Sequence, residues 1–164
     1  MKTKPLAVND ETIEFKVPAG ARSGYVRVHV GGRGKSGGVP LAVTPDDVPP
    51  SILQISPPNG REVRDGFALV NVVFSEVVDP ATIHSRTVWL EAEHYYDLLP
   101  GRDGALRVPC AARIQNGPER TVVTLTPVFL LPPAGTYRVH VEDGVTDLAG
   151  NPLAEDAITA FRTR

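Results

Sequence analysis

Gly34-Lys35-Ser36 has the residue types that end a phosphate-binding loop, where backbone N–H groups and a lysine cradle the anion. That motif needs a glycine five residues before Gly34, and His29 stands there. It also needs a helix whose N-terminus holds the phosphate, but Gly37-Gly38-Val39-Pro40 follows, so the segment reads as a flexible hairpin loop. Of the four histidines, His29 and His140 fall on the polar phase of alternating segments and read as solvated imidazoles, and His84 sits in a turn. His94 could join Glu93 or Asp97 around a zinc ion, but alternation sets Glu91 and Glu93 on one face and His94 on the other. Asp143, Asp147 and Asn151 offer the oxygen ligands that calcium prefers, yet their spacing misses the EF-hand pattern. Asp and Asn in such a loop commonly bond nearby backbone amides and stabilise a turn, which is the favoured reading. Cys110 falls mid-strand with no histidine near it in sequence, and no Gly-x-Ser-x-Gly elbow is present, so nucleophilic catalysis finds no support. Trp89 alternates with Val88 and Leu90 and should point outward, with Tyr95 and Tyr96 just beyond. Exposed aromatics of this kind stack on sugar rings or anchor protein contacts. The favoured reading is that Trp89 packs beneath the 94–107 connection or against a neighbouring module.

The elements that must position these residues are strands. Ile13, Phe15 and Val17 alternate with Glu14 and Lys16, and Val26, Val28 and Val30 alternate with Arg27 and His29. The same period of two recurs in Val70, Val72, Phe74, in Val88, Leu90, Ala92, in Val123, Leu125 and in Tyr137, Val139, Val141. Such alternation describes half-buried antiparallel strands, and Gly-, Pro- and Asn-rich turns separate them. One short helical turn is expected at Asp79-Pro80-Ala81-Thr82-Ile83, with Asp as N-cap and Pro at the first helical position. After residue 50, seven strands are predicted at 52–56, 67–75, 87–93, 106–115, 121–126, 136–142 and 157–163. That spacing is the arithmetic of an immunoglobulin-like sandwich. Before it only three fit, at 11–17, 24–30 and 39–44, too few for a two-sheet domain.

Pro45, Pro49 and Pro50 make residues 46–50 a stiff linker between the two parts. Charge divides at the same place: residues 1–45 carry seven Lys/Arg against three Asp/Glu, and residues 46–164 carry ten against sixteen. The acidic second part argues against nucleic-acid binding. No apolar run is long enough for a membrane-spanning helix, and the first residues lack the apolar stretch of a signal peptide. A single cysteine excludes an intrachain disulfide and a multi-cysteine metal site.

Ile55-Ser56-Pro57-Pro58-Asn59-Gly60 and Phe74-Ser75-Glu76-Val77-Val78-Asp79-Pro80 resemble the opening of bacterial Ig-like domains of the S-layer-protein type. Gly135-Thr136-Tyr137-Arg138-Val139, then Asp147-Leu148-Ala149-Gly150-Asn151-Pro152-Leu153 and Phe161-Arg162-Thr163, resemble the ending of the same domains. The resemblance covers about residues 49–164 and departs from the pattern between Glu93 and Arg107. Residues 1–45 resemble the C-terminal half of an IPT/TIG domain, through Ile13-Glu14-Phe15-Lys16-Val17-Pro18-Ala19-Gly20, Ser23-Gly24-Tyr25-Val26-Arg27-Val28 and Leu41-Ala42-Val43-Thr44. The family's N-terminal strands are missing, so the chain reads as part of a longer protein or as begun at an internal methionine.

The expectation is therefore all-β: a partial three-stranded Ig-like module at 1–45, a Pro-rich linker at 46–50, and an immunoglobulin-like β-sandwich of about seven strands at 51–164. The resemblance implies a non-catalytic spacer or interaction module of a larger secreted or surface-anchored bacterial protein. Its partners would be neighbouring Ig-like modules of the same polypeptide, or a cell-surface polysaccharide or protein, and no cofactor is implied. The alternative is a carbohydrate-binding accessory module of a polysaccharide-degrading enzyme.

Overall fold

The computed structural model describes residues 2–9, 11–17, 21–31, 34–64, 68–93 and 106–164. The chain divides into two compact units, Met1–Asp47 and Val48–Arg164.

In the first unit, β1 (Pro5–Val8) and β2 (Ile13–Phe15) form an antiparallel hairpin. The Asn9 side chain organises its turn, with Oδ1 accepting the amides of Glu11 and Thr12. β3 (Gly24–Val26) pairs with β6 (Val39–Leu41), and β4 (His29–Val30) pairs with β5 (Gly34–Lys35). The predicted strand 24–30 is thus two pieces; between them Val28 donates its amide to the Ser36 hydroxyl and accepts the Ser36 amide. β1 was not expected, because Pro5-Leu6-Ala7-Val8 shows no alternation. None of the described residues of this unit is buried: Leu6 is 73% and Tyr25 70% exposed.

The second unit holds a four-stranded and a five-stranded sheet around one core. The first has the order β12 (Cys110–Asn116), β13 (Thr121–Pro127), β9 (Val70–Phe74), β7 (Ile52–Ser56). The second runs β11 (Leu106–Val108), β10 (Val88–Ala92), β14 (Thr136–Val141), β15 (Ala157–Thr163), β8 (Arg61–Val63), with β8 parallel to β15 and the other pairs antiparallel. Val70, Val72, Phe74, Val123 and Leu125 from one sheet meet Leu90, Val139, Val141 and Phe161 from the other, all almost fully buried. These are the apolar phases of the alternating segments, and their removal from water drives the two sheets together. The unit is an immunoglobulin-like β-sandwich.

Two details differ from expectation. The predicted strand 106–115 is two strands in different sheets, divided at Pro109. Proline lacks the amide that a continuous ladder would use, and the chain turns a corner there from the five-stranded to the four-stranded sheet. Cys110 therefore opens a strand rather than lying in the middle of one. β8 was missed because Arg61-Glu62-Val63 carries a single apolar residue, as a short edge strand can. The expected helical turn is present as a 3-10 turn over Pro80–Thr82, with the Asp79 carboxylate accepting the Ala81 amide at 2.9 Å.

Candidate functional site

The outer face of the five-stranded sheet brings together Trp89, Arg107, His140, Arg138, Glu91 and Glu93. Trp89 on β10 lies directly across from His140 on β14, and Glu91 lies across from Arg138. The indole and imidazole stack with centroids 4.7 Å apart and planes within 4°. On β11, the Arg107 guanidinium carbon sits 4.2 Å from the Trp89 ring centroid, a cation–π contact, and the group also donates to the Ser85 carbonyl. Because β10 lies between β11 and β14, Arg107 and His140 approach the indole from opposite flanks and cover its two faces.

One pair of strands further along, Arg138 bridges two carboxylates, Glu91 at 3.6 Å and Glu93 at 2.5 Å. His140 Nε2 lies 3.5 Å from Glu91 Oε2 without hydrogen-bond geometry, so it touches the carboxylate as a neighbour rather than as a donor. The indole N–H of Trp89 is likewise buried with no partner among the described residues. His140 corrects the sequence expectation of a solvated imidazole: its side chain is only 12% exposed. Alternation placed it on the outer face, but the Trp89 ring beside it excludes the water. His29, in β4, is exposed as expected, and His84 is exposed at its turn.

Among the described residues, these side chains engage one another. His140 stacks on a ring rather than bonding a hydroxyl or thiol. At the end of the same sheet, an open groove of about 510 Å³ is lined by Glu62, Glu93, Arg162 and Arg164 among others, and Arg164 pairs with Glu62. Cys110 is half-buried on the inner face of β12, and burial pushes its thiol up to about 11. A thiol held in that state is a poor nucleophile at neutral pH.

The acidic loop is organised around one buried carboxylate, which bonds the backbone amides that follow it. Asp147 is 2% exposed, and its Oδ1 accepts the amides of Ala149, Gly150 and Asn151 while Oδ2 accepts the Asn151 side-chain amide. Burial alone would raise its pKa, but these donors outweigh it and hold the carboxyl below its ordinary value. Of the three residues considered for calcium, Asn151 thus turns an N–H₂ toward Asp147, and Asp143 is exposed. An oxygen of the Asp147 carboxylate also lies within 4.8 Å of a carboxylate oxygen of Glu76. The loop also locks to the other end of the pattern: Val78 forms a bridge with Asp147, and the Asp79 amide donates to the Thr146 carbonyl at 2.8 Å. The Val78 amide in turn donates to the buried Thr121 hydroxyl. Phe74–Pro80 and Asp147–Leu153, far apart in sequence, thus meet as one joint.

Tyr95 and Tyr96, with His94 and Asp97, lie outside the described residues. Gly34-Lys35-Ser36 forms part of the β4–β5 hairpin and its exit.

Residues 46–163 match the family of bacterial Ig-like domains. Among solved structures, the chain is similar to the N-terminal part of the bacterial S-layer protein SbsC, at 19% identity and a TM-score of 0.45, covering 71% of this chain and 24% of that one. Domains 1–6 of the same surface layer protein align at 19% identity and a TM-score of 0.42, over 70% of this chain and 14% of that one. An L,D-transpeptidase from Mycobacterium smegmatis is 23% identical with a TM-score of 0.41, over 71% of this chain and 40% of that chain. The chain spans less than half the length of each of these structures. None of the curated proteins matches it. From residue 46 onward, in sequence pattern and in its two-sheet sandwich, the chain belongs to the bacterial Ig-like domain family.

Proposed function

We propose that this chain is a non-catalytic structural module, a spacer or interaction domain within a larger secreted or surface-anchored bacterial protein. The observation that supports it most is the state of the outer sheet face. Its aromatic, cationic and acidic side chains are engaged with one another, Trp89 between His140 and Arg107, and Arg138 between Glu91 and Glu93. Residues 1–45 are read as half of an IPT/TIG-like module, whose exposed apolar residues a neighbouring module of the same polypeptide would cover. A proline-rich linker then sets the spacing between modules.

The rival reading, a carbohydrate-binding accessory module, requires a sugar to stack on Trp89. A ring could do so only by displacing Arg107 or His140 from the indole faces. Trp89 is the single tryptophan, so its fluorescence reports on that event alone. Titration with cell-wall and plant polysaccharides is expected to give no saturable change. A saturable change that disappears in Trp89→Phe would replace the spacer reading with the carbohydrate one. Hydrolytic turnover by residues 46–164 on a polysaccharide panel would sink both.

A further inference from the structure

Among the described residues the sandwich has four sheet edges, and three are blunted. β7 carries a register shift between Ile52 and Gln54 and lies between Pro50 and Pro57. β8 has three residues, and β11 has three and stops at Pro109. These are the ordinary devices that prevent strands from pairing with other chains. β12 has none of them: seven residues, Cys110-Ala111-Ala112-Arg113-Ile114-Gln115-Asn116, pair with β13 without a register shift, with no proline and one charge.

The ladder shows which groups are open. The Val128 amide bonds the Pro109 carbonyl at 3.0 Å, and the Gly117 amide bonds the Arg120 carbonyl at 2.8 Å. In an antiparallel pair, bonded positions recur at every second residue. Residues 111, 113 and 115 therefore face β13, and Cys110, Ala112, Ile114 and Asn116 turn their N–H and C=O groups to the free edge. No partner for these groups is present among the described residues. The side chains of Cys110 and Ile114 point inward, yet they stay only partly buried, because no strand lies outside them.

We propose that β12 is a dimerisation edge that pairs antiparallel with β12 of a second copy of this chain. The edge is self-complementary about a twofold axis. With Ile114 opposite Ile114 of the copy, Ala112 falls opposite Asn116, and the open amides of Ala112, Ile114 and Asn116 meet open carbonyls, while Cys110 falls opposite Pro118 beyond the ladder. Arg113 then stands beside Gln115 of the copy, which avoids the like-charge pair of the register centred on Arg113. The two Ile114 side chains would close the exposed margin of both cores. This interface stands apart from the spacer reading, since neither requires the other.

The test uses the full chain. Sedimentation should show a concentration-dependent monomer–dimer equilibrium. In hydrogen exchange on the unsubstituted protein, amides of Ala112, Ile114 and Asn116 should slow about tenfold or more as the dimer forms, while those of 111, 113 and 115 stay unchanged. Ala112→Pro removes only an amide that faces the open edge, a position where proline is tolerated. It should give a monomer with the circular dichroism spectrum of the parent. A chain that stays monomeric up to hundreds of micromolar overturns the proposal. So does a dimer that survives Ala112→Pro and is lost in Leu6→Ser/Val8→Ser, or one that forms without the alternating protection.

Discussion

The Trp89 indole and the His140 imidazole stack 4.7 Å apart across β10 and β14, so each shields one ring face of the other from water. Aromatic pairs of this geometry are worth about 0.5–1.5 kcal/mol beyond their buried area. Trp89→Ala and His140→Ala should each destabilise the sandwich in urea. In a double-mutant cycle the two losses should be non-additive by about 1 kcal/mol. Additive losses would mean that the stack contributes nothing of its own.

Asp147 gives the sandwich an acid-side weakness. Its folded pKa lies below its unfolded value, so its contribution is fully present above about pH 4 and lost as pH falls through the lower folded value. Thermal melts between pH 5 and pH 2 should show this loss, and Asp147→Asn should reduce it. At pH 7 the same variant should cost on the order of 2 kcal/mol, because an amide nitrogen replaces an acceptor among N–H donors. Calcium added to the parent should raise its melting temperature no more than matched ionic strength does.

Gly135 has no room for a side chain. A Cβ there would lie 2.8 Å from Tyr137 Cε2 and from the phenolic oxygen. The Tyr137 ring is buried and stacks on Phe161 at 5.5 Å, so it cannot swing away freely. Gly135→Ala should cost about 1–3 kcal/mol by overpacking. Gly144→Ala, whose Cβ would meet Thr87 Cγ2 at 2.8 Å, should behave alike.

With its thiol pushed up to about 11, Cys110 would be only about 0.1% thiolate at pH 8. Iodoacetamide should modify it slowly in the folded chain and quickly in denaturant. Rapid modification of the native protein at pH 8 would contradict the burial that raises it.

Amides of 12–17 and 25–30 should exchange much faster in dilute monomer than those of 70–74 and 137–141, since no described residue of the first unit is buried. Equal protection of both sets would show that residues 1–47 are held by contacts of their own.

The faces of the sandwich strands were legible in the sequence, and their neighbours were not. Val70-Asn71-Val72-Val73-Phe74 and Thr136-Tyr137-Arg138-Val139-His140-Val141 declare by period two which side chains enter the core. Nothing in that period says that β10 lies between β11 and β14, because strand pairing is decided by contacts distant in the chain. The altered environment of His140 follows from that limit: its outward phase was readable, but the ring beside it was not. The Asp147 loop carried a recognisable pattern, yet its hydrogen bonds appear only once Asn151 folds back on it. Pro109 was the available signal for dividing 106–115, and apolar residues on both sides of it hid the corner.

The parallel pairing of β8 with β15 has a mechanical consequence. β15 is held on one side by six paired positions with β14 and on the other by three with β8. Among the described residues β7, which follows the proline-rich segment, pairs with β9 alone, across an irregular register. A pull along the polypeptide therefore meets two unequal anchors. At β15 two ladders must part before the strand is free, and at β7 one. The sandwich should yield first at its N-terminal strand, extending by that strand's length while the rest of the fold stays closed.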